Sequence, residues 1–210
     1  MDVTPLYGLR LRTPRLELRL GSRQELVELG RVAERGVHPP REMPFAVAWS
    51  DRIGQPDFLD GFLAFHEDHL SRWSHEEWTL NLLVWRHGTL VGTQGMATAR
   101  FAETHRVHTG SWIGREHHGR GIGTEMRAAV LELAFGGLGA SVAASDWLDG
   151  NDASRRVSEK LGYVEVGLGS VNPRGDQVVQ HQVELARERW RCPVPVEIEG
   201  LEPCLPLFGL

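Results

Sequence analysis

Only two cysteines, Cys192 and Cys204, occur in 210 residues. That excludes a disulfide-stapled fold and predicts reduced thiols in a cytoplasmic protein. Basic charge is also short, with 23 Lys and Arg against 28 Asp and Glu and a formal net charge of −5. A nucleic-acid binder normally carries a basic surface, so no nucleic-acid partner is expected. No apolar run reaches bilayer-spanning length, and the opening "MDVTPLYGLRLRTPRL" is too charged for a secretory leader, so no membrane partner is expected either. Internal repeats and low-complexity segments are missing. So are the GxxxxGK[ST] phosphate loop and the HExxH zinc signature. His66 and His69 of "HEDH" share a helix face, but further ligands are lacking; the stretch reads as a solvated face, and no metal is expected. What remains is an ordinary globular composition, 41% hydrophobic and 24% charged, suited to a single folded core.

The periodicities predict an α/β sandwich with a mixed sheet. A first strand falls near 15–20. A helix follows Ser22 as N-cap, with Leu26, Leu29 and Val32 or Ala33 on its apolar side. The Pro-containing stretch 38–56 is a loop. A second helix spans 57–73, with Phe58, Phe62, Phe65 and Leu70 facing inward. Two strands turn at His87–Gly88, and "VHTGSWIG" is a third. Residues 140–147 suit a buried parallel strand. Asn151 caps a helix that ends at Gly162, and two further strands close the sheet as a hairpin. Residues 1–190 form the domain. Residues 191–210 form an extended, Pro-containing tail docked on its own domain or on a partner subunit, and this apolar tail predicts a homodimer.

The stretch "SWIGREHHGRGIGTEMRAAVLELAF", residues 111–135, is the most informative. An apolar strand runs into a loop of glycines, histidines and arginines, and the loop opens a helix anchored by Met126, Ala129, Val130 and Leu133. The first N–H groups of a helix lack intrahelical partners and sit at the positive end of its dipole. Glycines let an anion approach those groups. Arg120 and His118 add charge. Two readings stand at this point: a phosphate cradle, or glycines needed only for tight packing. The spacing Gly119-Arg-Gly121-Ile-Gly123 is GxGxG, which does not fit the dinucleotide-binding GxGxxG.

With "NDASRRVSEKLGY" downstream, "HHGRGIGTEMRAAVLELAF" resembles the Gcn5-related N-acetyltransferases, the GNAT superfamily. "TPRLELRL" and "EKLGY" are similar to its RimJ/RimL-like branch. The pyrophosphate motif of the family, [QR]-x-x-G-x-[GA], reads here as His118-Gly-Arg-Gly121-Ile-Gly123 and departs at its first position. The resemblance implies a mostly antiparallel sheet of about seven strands flanked by four helices, with two splayed parallel strands at its centre. It implies acetyl-CoA or succinyl-CoA bound in the splay. Backbone groups near Trp112 and Ile113 would pair with the pantetheine. His118, Gly119, Arg120, Gly121, Ile122, Gly123 and Thr124 would hold the pyrophosphate, and Asn151 and Ser154 would meet the pantetheine end.

Acyl transfer from a thioester to a primary amine through a tetrahedral intermediate needs an oxyanion donor, a proton for the thiolate and a neutral amine. A backbone N–H near Trp112–Ile113 supplies the first. Ser158, seven residues after Asn151, stands where the family often has a proton-donating Tyr; it is a hydrogen-bond donor to the thiolate or a helix-surface serine. His108 and Asp146 are the candidate bases. Phe45 and Trp49 are expected to line the acceptor pocket, and Trp147 to wall the channel. Acidic residues between 51 and 77 would suit a polycationic small molecule, whereas a protein N-terminus needs only a water path. A succinyl donor would need a cation, for which Arg41 and Arg52 are candidates. A non-catalytic acyl-CoA-binding or interaction domain is the competing class.

Overall fold

A computed structural model describes the whole chain, residues 1–210. Two strands, Arg10–Arg12 (β1) and Leu16–Arg19 (β2), pair antiparallel where the sequence predicts one. Three residues are too few for an alternation to show, so β1 leaves no readable pattern. Helix α1, Arg23–Glu34, begins on a capping box in which Ser22 Oγ accepts from the Glu25 N–H and the Glu25 carboxylate accepts from the Ser22 N–H. Helix α2, Phe58–Ser71, crosses α1 at Gly30, where a Cβ would meet Leu59 at 2.7 Å. That crossing sets which side of α2 is buried: Phe58, Phe62, Leu63 and His66 lie inward, and Phe65 is 55% exposed. The HEDH stretch is therefore not a wholly solvated face. His66 is packed between Phe62 and Phe65, at ring distances of 5.0 and 5.3 Å.

Strands Glu77–Arg86 (β3) and Thr89–Ala99 (β4) form a hairpin whose turn residues His87 and Gly88 both have positive φ, 48° and 76°. A one-turn helix, Phe101–Thr104 (α3), leads into β5, Arg106–Ile113. Then come α4, Ile122–Glu132, and β6, Val142–Leu148. Helix α5, Asp152–Leu161, is capped by Asn151 at one end and by left-handed Gly162 at the other. The hairpin of β7, Val164–Val171, and β8, Val178–Ala186, follows. The tail adds β9, Glu197–Glu199, on β1, and its Phe208 packs against Trp73 and Trp78. The tail thus docks on its own chain.

The sheet has nine strands in the order β7-β8-β6-β5-β4-β3-β2-β1-β9, two more than expected because β1 and β9 are so short. Only β5 and β6 run parallel. Their pairing is confined to Arg106, Val107 and His108 opposite Val142, Ala143 and Ala144. Beyond it β5 stays with β4 as far as Ile113, and β6 stays with β8 as far as Leu148. Each arm follows its outer neighbour, and the centre of the sheet opens as a V. Helix α4 packs on one face above the larger core, and α1 and α2 cover the other around Leu83 and Leu90.

Candidate functional site

The loop from β5 to α4 leaves the open end of the V. Gly119 and Gly121 both lie in the left-handed region, at φ 73° and 75°, where a side chain is strained. Gly121 is the N-cap of α4, and no side chain caps this end, so the first N–H groups of the helix remain available. At Gly123 the first turn of α4 faces α5, where a Cβ would lie 3.4 Å from the Val157 side chain, an ordinary packing distance. His118, Gly119, Arg120 and Gly121 are exposed, Gly123 and Thr124 partly so, while the Ile122 side chain is buried as an anchor. His118 is tied back to the strand, with Nε2 2.9 Å from the Ile113 carbonyl.

Residues that sequence reasoning missed fix this loop. Glu125, 5% exposed, receives hydrogen bonds from Thr13 Oγ1 at 2.6 Å, from Arg15 Nε at 2.6 Å and from the Arg15 N–H at 3.2 Å. Arg15 Nη1 also donates to the Arg120 carbonyl at 3.0 Å. The turn between β1 and β2 therefore braces the glycine loop. The available signal was the run "AAVLELAF": a helix buried on all sides must have its charges answered from elsewhere.

Inside the V, side chains replace the missing ladder. Ser145 Oγ donates to the Thr109 carbonyl at 2.9 Å, and Thr109 Oγ1 donates to the Ala144 carbonyl at 3.2 Å. Tyr163 Oη lies 3.3 Å from Thr109 Oγ1, so Tyr163 helps build the floor. Arg127 of α4 spans the arms, reaching Ser145 on β6 and Ser111 on β5.

The backbone of β5 alternates between its two neighbours. The Gly110 carbonyl accepts from Gln94 on β4 and the Gly114 N–H donates to Val91, whereas the Thr109 carbonyl faces β6. Ser111 and Ile113 therefore turn their amides into the V, and Trp112 turns its own toward β4. This corrects the expectation for Trp112: its backbone is engaged, and its indole belongs to the opposite face. There it packs 5.5 Å from Trp49 and 6.3 Å from Phe62, with Phe45 5.1 Å from Trp49. Phe45 and Trp49 thus cover the β5 arm. Their loop is held by Asn151 Nδ2 donating to the Pro44 carbonyl at 3.3 Å and by Arg174 of the β7–β8 turn paired with Asp51 at 2.5 Å. Asn151 also caps α5, its Oδ1 accepting from the Ser154 N–H at 3.0 Å.

His108 and Asp146 come together, Nε2 to Oδ2 at 2.7 Å, at the point where the parallel pairing ends. They line an open cavity of about 430 Å³ with Thr98, Arg106 and Gln182. Ser158 is 2% exposed rather than on the helix surface, and its Oγ has no partner. Ser154, one turn earlier, is half-buried. Trp147 lies apart from Phe45 and Trp49, on the face of the larger core, stacked 3.6 Å from His181. His181 bridges Glu165 and Asp149, and those hydrogen bonds raise its pKa. Arg52 is engaged by Asp57 at 2.5 Å and Arg41 is exposed. Four residues of the acidic stretch, Asp51, Asp57, Glu67 and Asp68, pair with arginines, while Asp60, Glu76 and Glu77 form no ion pair.

The fold as a whole is shared with several solved structures. Mycobacterium smegmatis RimJ in complex with CoA-disulfide superposes with a TM-score of 0.69 at 18% identity, over 88% of this chain and 90% of that one. A RimL ribosomal alpha-N-protein acetyltransferase in complex with coenzyme A gives 0.67 at 12% identity, over 84% and 97%. The ribosomal-protein-S5-alanine acetyltransferase of Vibrio fischeri gives 0.63 at 16%, over 87% and 98%. At such identities the likeness is one of fold. The sequence itself matches the acetyltransferase (GNAT) domain over residues 28–164, from α1 to the first residue of β7, and so the chain belongs to the GNAT acetyltransferase family.

Proposed function

We propose that the protein is an acyl-CoA-dependent N-acyltransferase that moves an acetyl or succinyl group directly to a primary amine, such as a protein N-terminus, and that it works as a homodimer. The observation that carries this reading is the V itself. It presents an unpaired edge of β5 leading without interruption to the uncapped N-terminus of α4. The N–H groups of Gly119 to Thr124 suit a pyrophosphate, and those of Ser111 and Ile113 suit the pantetheine amides and the thioester oxygen. Acyl-CoA supplies the activated acyl group and a thiol leaving group.

The chain's own residues then have distinct tasks. A backbone N–H in the V stabilises the developing oxyanion. Ser158, a buried hydroxyl with an uncommitted proton, donates a hydrogen bond toward the departing sulfur. The His108–Asp146 pair accepts the amine proton from the open face, with Asp146 fixing the imidazole tautomer. Phe45, Trp49 and Trp112 form the apolar wall beside the acceptor. The pairing of Asp51, Asp57, Glu67 and Asp68 with arginines favours a protein N-terminus over a polycationic small molecule.

Isothermal titration with acetyl-CoA, succinyl-CoA and free CoA tests the reading, alongside a Gly121→Glu variant. A Cβ at 121 would meet Arg15 at 3.3 Å, and the added carboxylate would sit at the anion site. The wild type should bind and the variant should not. Wild-type protein that binds no CoA species would overturn the proposal.

A further inference from the structure

Helix α4 carries two buried charged side chains two residues apart, Glu125 and Arg127. Their surroundings differ. Glu125 is answered by Arg15 and Thr13. Arg127 is 3% exposed, and its only side-chain partners are two neutral hydroxyls. Nη1 donates to Ser145 Oγ at 2.9 Å and Nη2 to Ser111 Oγ at 3.3 Å, while the Nε–H is buried with no partner. A guanidinium has five N–H donors. Two are used, so three remain, including the Nε–H.

Position gives this orphan cation its meaning. Ser111 belongs to β5 and Ser145 to β6, so Arg127 lies across the V next to the Ser145–Thr109 bond that closes its floor. A buried charge without a counter-ion is costly, and the matching anion is expected in the same place. Acyl transfer offers two candidates there: the departing thiolate, and a carboxylate carried by the acyl group. A thiolate is a single charged atom that exists for one step. A carboxylate is planar, has two oxygens and is present throughout binding, which matches the fork of free N–H groups. The surface cations do not compete for this role, since Arg52 is held by Asp57 and Arg41 faces solvent.

Building on the acyltransferase reading, we propose that Arg127 is a specificity-determining residue that selects acyl-CoA donors whose acyl group ends in a free carboxylate, the monothioesters of dicarboxylic acids, over acetyl-CoA. The carboxylate pairs with the uncommitted N–H groups while Ser111 and Ser145 hold the guanidinium in the plane of the V.

The test is isothermal titration of the full chain with free CoA, acetyl-CoA and succinyl-CoA, on the wild type, Arg127→Lys and Arg127→Met, read as the ratio of succinyl-CoA to acetyl-CoA affinity. A charge-assisted contact predicts a wild-type ratio of about tenfold or more. Lysine keeps the charge and loses the fork, so its ratio should be intermediate; methionine should bring the ratio to about one. A wild-type ratio near one overturns the proposal. So does a ratio that survives in Arg127→Met while both affinities fall together, for then Arg127 is only a strut between the arms. If Arg127→Met does not fold, the wild-type and Arg127→Lys ratios decide. Binding of free CoA without any preference defeats this proposal alone, whereas failure of the wild type to bind any CoA species defeats the acyltransferase reading and this one with it.

Discussion

Single residues in this chain matter most where a polar group has been taken out of water. His66 is the clearest titrating case. It sits on the inward side of α2, 5% exposed and between two phenylalanines, and burial pushes its pKa down to about 4. The neutral ring is the form the fold accepts. Above the ordinary histidine value of about 6.5, folded and unfolded chains are both neutral there and stability is unaffected. As pH falls below that value the unfolded chain takes up a proton that the folded chain refuses. Stability therefore drops by up to roughly 1.4 kcal/mol per pH unit until about pH 4. Urea unfolding at pH 7.0, 5.5 and 4.5 should show this slope in the wild type and a shallower one in His66→Leu; parallel curves would dismiss His66 as the cause. His181 works in the opposite sense. Its pKa is raised, so its contribution is complete below the unfolded value and fades as pH climbs through the folded one. Neither environment was legible in the sequence. HEDH reads as a solvated face because the phase of a helix stripe depends on the partner it meets, and the close approach at Gly30 is a tertiary fact. Arg127 was missed for a related reason: its importance is the absence of a carboxylate, which no sequence pattern displays.

At the scale of elements, long segments with local signals were legible and short ones were not. The Ser22 capping box, the His87–Gly88 turn, the glycine loop before α4 and the Asn151 and Gly162 caps all announce themselves through residues next to one another. β1 and β9 have three residues each, and while β1 pairs locally with β2, β9 forms only by pairing with β1 at the opposite end of the chain. The splay depends on where two strands stop pairing, and only the resemblance to a family predicted it. One glycine reports directly on that splay. A Cβ on Gly92 of β4 would lie 2.3 Å from the Trp112 carbonyl oxygen and 2.8 Å from Ile113 Cα, both backbone atoms that cannot swing aside. Gly92→Ala should therefore drive the end of β5 away from β4 and into the V. The expected cost is about 1–3 kcal/mol, the usual range for overpacking, with a parallel loss of CoA affinity. Gly110→Ala is the control, because a Cβ there meets nothing within 4 Å. If denaturant midpoints show the two variants equally stable, the close approach of β4 and β5 does not hold the V open.

For the whole molecule, the two ends of the sheet are treated differently. At one end β9 is a three-residue strand followed by the tail, which is folded back so that Leu207 and Phe208 are buried. The apolar tail is thus engaged by its own core, and it no longer supplies the reason for a dimer. The other end does. β7 is an eight-residue edge strand, "VEVGLGSV", with no Lys, Arg or Pro. Its Val164, Val166 and Leu168 are 38%, 53% and 64% exposed, and the bulge places Val164 and Val166 on one face and Leu168, beside the 37% exposed Val179 of β8, on the other. Natural edge strands are usually blunted by charge, proline or brevity, because a free row of N–H and C=O groups templates another strand. β7 has one glutamate and a single bulge, at Glu165–Gly167, to oppose pairing. A second copy brought up by a two-fold axis would pair β7 with its own equivalent and take up the free N–H and C=O row of both strands. Light scattering during size exclusion should then report twice the 23.5 kDa chain mass at micromolar concentration. Leu168→Lys, a change on an exposed side chain that leaves the V intact, should return the mass to that of one chain while free CoA still binds. A wild type that runs as a single chain at these concentrations would remove the dimer and leave β7 as an edge guarded only by its bulge.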